Sequence, residues 1–441
     1  MDGLGMRAAI FAVLCAVGVL SYVADATAGK VPEIYGRVFK TYGEFDPVRI
    51  GIAELTVADD GGTGYQADLI AAEIGQVVYD DLDFAYLFES LRPDTTYLRI
   101  MGLSEIDLRG WRHLGAEYLI EGEVEVGENE LAVSYTLNDL INGRQVFKRR
   151  LKSRRDNIRL LAHVLSDEVY EEIANRPGIF QTRIAYLHGS GTYKEVHICD
   201  YDGANDYAVT ADRSVVVTPR WAGPNTLSYT SYVEGNPDVW LLDLSRDQAK
   251  KFSSQPGLNS SCTWSADGRR YVLSLSVDGN PEIYIGDRNS QRPRRLTFSP
   301  GIDTSPTFSP DGKRIIFTSD RAGTPQLYIM DDDGANVQRI TYTGNYNESP
   351  NWSPTMDLIV YVTRIDGLFQ IMTARPDGSE PRQLTEVGSN ENPHWSPDGL
   401  HIVFSSNRSG TYEIYTMNYD KSGVPRRITT TGNNTNPSWS P

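Results

Sequence analysis

The chain repeats itself, and that repeat limits its fold more than any other feature. An aromatic residue ahead of a Ser-Pro-Asp-Gly turn recurs as Trp264, Phe308, Trp352, Trp395 and Trp439, with a degenerate first copy at Trp221, and neighbouring copies lie 43 or 44 residues apart. A second marker, the strand-like Glu413-Ile414-Tyr415, returns in the same phase at His197, Trp240, Tyr284, Tyr328 and Met372. Units of this length built from short alternating runs specify a propeller or a solenoid. No helical spacing occurs within the unit, which excludes the helical arrays.

One unit parses directly. The residues ahead of Trp395 form an inner strand, Pro397-Asp398-Gly399 makes a tight turn, and His401 to Ser405 alternates as the second strand. In that turn Pro presets φ and Gly supplies a positive φ. A Gly-containing loop leads to a third strand over Glu413 to Met417 and an outermost one at Arg426 to Thr429. Four strands per blade suit a radial array whose edges stay short and protected. Arg183 to Pro441 spans 259 residues, enough for six such units, so the expected fold is a six-bladed β-propeller over 183–441. The first unit opens at Ile184 without an inner strand, and the last stops after the inner strand that holds Trp439. Each end lacks what the other supplies, so the C-terminal strand is expected to complete the blade begun at Ile184.

Ahead of the propeller the pattern changes. Over 47–176, Val48 to Leu55 reads as a strand, Tyr65 to Tyr79 has Ile70, Ile74, Val77 and Val78 at helical spacing, and Ala85 to Phe88 reads as a second strand. Ser104-Glu105-Ile106-Asp107 opens a helix like a capping box. Two alternating runs follow, Tyr118 to Val126 and Leu131 to Ile141, and Asn142-Gly143 turns the chain into Gln145 to Leu151. A last helix from Asp156 places Leu161, Val164, Leu165, Val169 and Ile173 on one face. The expected fold class is an α/β N-terminal domain, a mixed sheet with helices, joined by a linker at 177–182 to the all-β propeller.

Residues 8–20 form an apolar run too short to span a bilayer, followed by small-x-small patterns ending at Ala26 and Ala28. Residues 1–28 are therefore read as a cleavable secretory signal, with Met6 an alternative start. Leu14 is too large for the position before a lipidated cysteine, which argues against an anchor at Cys15. No other apolar run is long enough to cross a membrane.

Net charge is −16, which argues against nucleic acid or an anionic membrane surface as the main partner. Gly62-Thr63-Gly64-Tyr65-Gln66-Ala67 matches a dinucleotide fingerprint, but Asp59 and Asp60 would repel a pyrophosphate, so it reads as a loop at a helix start. The nucleophile elbow, the Walker lysine and the His-Glu-x-x-His motif are all missing. Asp331-Asp332-Asp333-Gly334 lacks the alternating ligands of a calcium loop and reads as a turn. No catalytic residue, cofactor or metal site is assigned, and Cys199 and Cys262 read as buried free thiols.

This combination resembles the TolB family of the bacterial Tol–Pal envelope system. Beyond the repeat, Leu160 to Leu187 (LLAHVLSDEVYEEIANRPGIFQTRIAYL) is similar to the family's domain junction, and Val48 to Ala53 (VRIGIA) to its first strand. The resemblance implies a non-enzymatic periplasmic protein that docks the lipoprotein Pal on its propeller and TolA through its N-terminal segment, here 29–46, with Glu33, Tyr35, Arg37 and Phe39 as candidate contacts. That segment does not carry the family's short N-terminal motif, and one repeat reads Pro354-Thr355-Met356-Asp357 in place of Pro-Asp-Gly. The rival readings are a peptidase-associated propeller and a polysaccharide-binding or polysaccharide-cleaving one.

The loops around one mouth of the channel carry the candidate Pal-binding residues: Leu258, Asn259, Asp303, Thr304, Asn347, Glu348, Asn390, Glu391, Thr435 and Asn436. Their donors and acceptors suit a polar docking site. By resemblance, the family's Pal contacts match Leu258 and Thr304.

Overall fold

A computed structural model of the chain describes residues 46–58, 64–92, 108–189, 193–290 and 292–441. The expected signal and the candidate contacts Glu33, Tyr35, Arg37 and Phe39 lie outside the described residues, as do Gly62, Thr63 and the Ser104 capping box. Two compact units divide at Ile173 and Ala174.

The first unit is a mixed sheet. Val48–Ile52 lies parallel to both its neighbours, Phe88–Leu91 and Tyr118–Val126, and the sheet then continues antiparallel through Glu130–Asp139 and Arg144–Arg154. The helix Gly64–Phe84 runs past the expected end at Tyr79, because the apolar spacing continues through the fully buried Leu82. The following strand accordingly starts at Phe88 and not at Ala85. The two long helices, Gly64–Phe84 and Ile158–Ala174, are tied by the buried pair Asp81 and His163, 2.9 Å apart. Gly51 is required by close approach: a Cβ there would stand 2.6 Å from the buried Trp111 ring.

The second unit is a ring of six four-stranded sheets, each an antiparallel meander. Their inner strands are Val216–Gly223, Asn259–Trp264, Asp303–Phe308, Asn347–Trp352, Asn390–Trp395 and Thr435–Trp439, which open blades one to six in that order. The C-terminal strand Thr435–Trp439 pairs with Arg183–His188, so the two ends of the repeat close one blade, as expected from the sequence. Outermost strands are shorter than expected, two residues in five blades, because only two positions pair with the third strand before the chain turns inward. Cys199 and Cys262 are buried and unpaired.

Adjoining blades are held by a recurring buried latch. A residue at or near the start of a third strand accepts bonds from a threonine in its own blade and an asparagine at or just before the start of the next inner strand. Gln326 Oε1 takes Thr341 Oγ1 at 2.8 Å and Asn347 Nδ2 at 3.0 Å. Gln370 Oε1 takes Thr385 at 2.8 Å and Asn390 at 3.1 Å, and Glu413 Oε2 takes Thr429 at 2.6 Å and Asn434 at 2.7 Å. Fully enclosed polar atoms are costly unless bonded, so each latch fixes the register of its neighbours.

Candidate partner-binding surface

In a meander blade, the connection from the outermost strand to the next inner strand and the one between second and third strands emerge at the same end of the channel. Every candidate Pal-binding residue sits at or near this upper end. The structure divides them by their place along the inner strand.

Asn259, Asp303, Asn347 and Asn390 open their strands and are fully enclosed. Asn259 Oδ1 accepts from Ser253 Oγ at 2.8 Å, Asn347 and Asn390 belong to the latches, and Asp303 is paired with Arg321 at 2.7 Å. Their polar groups serve the blades and are not presented to solvent. Thr304, Glu348, Glu391, Thr435 and Asn436 are partly exposed, as is Leu258, whose N–H donates to Ser276 Oγ at 2.8 Å.

Two acids dominate the mouth. Tyr346 donates its hydroxyl to Glu348 at 2.8 Å, and Tyr412 donates to Glu391. Burial pushes the Glu348 carboxyl above the usual carboxylate range and the nearby Glu391 adds to this, while the Tyr346 bond opposes it. The Tyr346 hydroxyl is pushed up to about 12 by burial and by its own bond to Glu348. A cavity of about 580 Å³ opens beside these groups, lined by His188, Asn407, Thr411, Tyr412 and Asn433.

Two features escape a reading of the loops as polar. One residue near the start of every inner strand, Thr218, Ser261, Ser305, Ser349, Asn392 and Asn436, has φ between 51° and 54°. Each sits at a bulge, where the pairing with the second strand shifts register. Second, large apolar side chains are exposed at the upper end. Phe298 is 77% exposed, Tyr342 75% and Val387 63%, all between an outermost and an inner strand, and Ile302, Val233, Val277 and Leu368 join them. Among the described residues of the propeller, the lower end exposes Tyr207, Val337 and Val424 of this kind. Apolar residues concentrated at one face mark an interaction surface. An aromatic residue within a turn sequence, as in Thr297-Phe298-Ser299, is the signal that points to them.

The fold and this face define a class: an α/β unit followed by a six-bladed propeller that exposes large apolar side chains mainly at one end. Residues 170–441 match the TolB beta propeller domain and residues 41–146 the TolB amino-terminal domain, so the chain belongs to the TolB family. The Tol-Pal system protein TolB of Desulfosudis oleivorans is 36% identical over 211 residues, 46% of this chain and 47% of that protein. Its counterpart in Alkalilimnicola ehrlichii is 34% identical over 194 residues, 43% and 45% of the two chains. The chain spans about half the length of the curated relatives it matches. The crystal structure of TolB from Acinetobacter baumannii aligns with a TM-score of 0.77 at 26% identity, over 90% of this chain and 97% of that one.

Proposed function

We propose that this chain is a non-enzymatic periplasmic scaffold of the Tol–Pal system. Its propeller docks a Pal-type outer-membrane lipoprotein at the upper mouth, its segment 29–46 docks a TolA-type inner-membrane protein, and the pair of contacts supports outer-membrane integrity and constriction at division. The domain limits follow the same reading: signal 1–28, α/β domain 47–176, linker 177–182 and propeller 183–441. The observation that carries the docking site is the concentration of exposed apolar side chains at the upper end, around Thr304 and the acids Glu348 and Glu391. An apolar ring around a polar centre suits a folded protein partner better than a polysaccharide, which would call for stacked aromatics along a groove.

Titration calorimetry with the soluble domain of a Pal-type lipoprotein tests this. Thr304→Arg places a bulky cation at the mouth and is expected to lower affinity at least about tenfold, ~1.4 kcal/mol, with Tm unchanged. Unchanged affinity would move the docking surface away from this mouth.

A further inference from the structure

In a chain of net charge −16, the strand Arg144–Arg154 carries Arg144, Lys148, Arg149, Arg150, Lys152 and Arg154 and no acid. It ends the sheet of the first unit: one side pairs with Glu130–Asp139, and no described strand pairs with the other. We propose that this free edge takes up an extended, acidic segment of a partner protein as an added strand.

The register sorts its side chains into two rows. Lys148, Arg150 and Lys152 stand opposite Thr136, Ser134 and Ala132, which in turn stand opposite Glu121, Glu123 and Glu125. Phe147, Arg149 and Leu151 stand opposite the fully buried Leu137, Tyr135 and Val133. Tyr135 and Arg149 both reach Glu168 on the helix Ile158–Ala174, so this second row is the one that the helix covers. The first row is exposed. Residues of an added strand alternate between the two faces, so the segment that fits has carboxylates beside the lysines and apolar side chains beside half-buried Phe147.

Arg150 shows that this row takes carboxylates: its Nη2 reaches Glu125 at 2.6 Å across the intervening strand. Lys148 is exposed and in no ion pair among the described residues, and Lys152 meets only the exposed Glu130, at 3.8 Å. An exposed pair of that kind holds its partners weakly, which leaves both ammonium groups open to a second acid. The glutamate row lies three strand spacings from an added strand, about 14 Å, beyond the Debye length of ~8 Å at physiological salt. It therefore does little to repel an acidic segment. Lysines on an open edge do oppose pairing with a second copy of this chain, which would set cation against cation. The same charges admit an acidic strand, with main-chain bonds supplying affinity and the alternation supplying specificity.

A labelled peptide of alternating Glu and Val, about as long as the strand, tests the edge when titrated into the full chain, read by fluorescence anisotropy and amide hydrogen exchange. Saturable binding that slows exchange over 144–154 is expected. In the double variant Lys148→Glu, Lys152→Glu the affinity should fall at least about tenfold with Tm unchanged, because both side chains are exposed. The exchange measurement on the wild type decides the question independently of any variant. The proposal is overturned by any of four results: no saturable binding, binding that leaves exchange over 144–154 unchanged, unchanged affinity in the folded double variant, or equal binding of a peptide with its Glu and Val in separate blocks. Uptake of phosphatidylglycerol vesicles without uptake of the peptide would also overturn it and assign the strand to a membrane surface.

Discussion

Two blade junctions share one geometry and differ in chemistry. Between blades four and five the latch is built from amides: Gln370 accepts from Asn390, and Asn390 in turn accepts from Arg408 at 2.9 Å. Between blades two and three the same positions are Glu282 and Asp303, two buried carboxyls. Each has a guanidinium, Arg295 on Glu282 and Arg321 on Asp303, both at 2.7 Å, yet Asp303 Oδ1 is enclosed and makes no direct hydrogen bond among the described residues. The amide junction satisfies itself through N–H groups that the acid junction does not possess. The acid junction depends on two arginines, with Thr297 Oγ1 and the Ser299 N–H also donating to Glu282, and it directly precedes Thr304 at the candidate mouth.

The largest expected effect tests the apolar part of the comparison. Trp395 is buried between blades four and five, and its Nε1–H donates to the Asn351 carbonyl at 3.2 Å; Phe308, its counterpart between blades two and three, packs among Val272, Ile283 and Ile315 with the Arg270 guanidinium over its ring at 5.3 Å, and has no ring N–H to donate. Trp395→Ala is expected to cost about 3–5 kcal/mol, with Phe308→Ala at the lower end of that range. Equal losses in denaturant unfolding would show that the tryptophan bond adds nothing to its junction.

A smaller effect transplants the acid. Asn390→Asp keeps a group that can face Arg408 but removes the donor to Gln370 Oε1 and to the carbonyls of Val387 and Gly388. Leaving those acceptors without their donor is expected to cost about 1–3 kcal/mol. If the variant melts with the wild type, the latch does not hold the junction.

The ring of blades was legible because a fixed period carries register information: six copies and two incomplete ends leave one closure. The latch was not. Glu413 stood out as a repeat marker, but its bond to Asn434, 21 residues on, becomes visible only once the third strand of one blade faces the inner strand of the next. The loops of the mouth were legible as polar, and half-exposed Thr304, Glu348 and Glu391 do line it. Asn259, Asp303, Asn347 and Asn390 have the same residue character, and burial alone separates them from their neighbours. Phe298, Tyr342 and Val387 belong to no periodic run, so pattern reading passes over them. The positive φ of Ser305 or Ser349 is imposed by the bulge and not by a residue type that prefers it.

The smallest expected effect reverses the transplant, and its size depends on pH. Burial raises the Asp303 carboxyl above the usual carboxylate range and the neighbouring Glu282 adds to this, while Arg321 and the hydroxyls of Ser319 and Thr297 oppose it. Those groups, with Arg295 behind Glu282, are the charged and polar neighbours that face it. A carboxyl whose pKa is higher folded than unfolded retains its proton longer in the folded chain. Between the two pKa values the folded state binds more protons, so stability falls as pH rises through that window. Above the window the ionised Asp303 carries its full cost; below the ordinary carboxylate range the cost disappears. Asp303→Asn supplies a neutral side chain with an N–H donor at this place, as in the amide junction. It is expected to raise Tm by about 1–2 °C at neutral pH, with the gain shrinking as pH is lowered through the carboxylate range. Melting curves of both proteins across that range decide it: a gain independent of pH, or a loss at neutral pH, would mean that the Arg321 pair outweighs burial and the Glu282 repulsion.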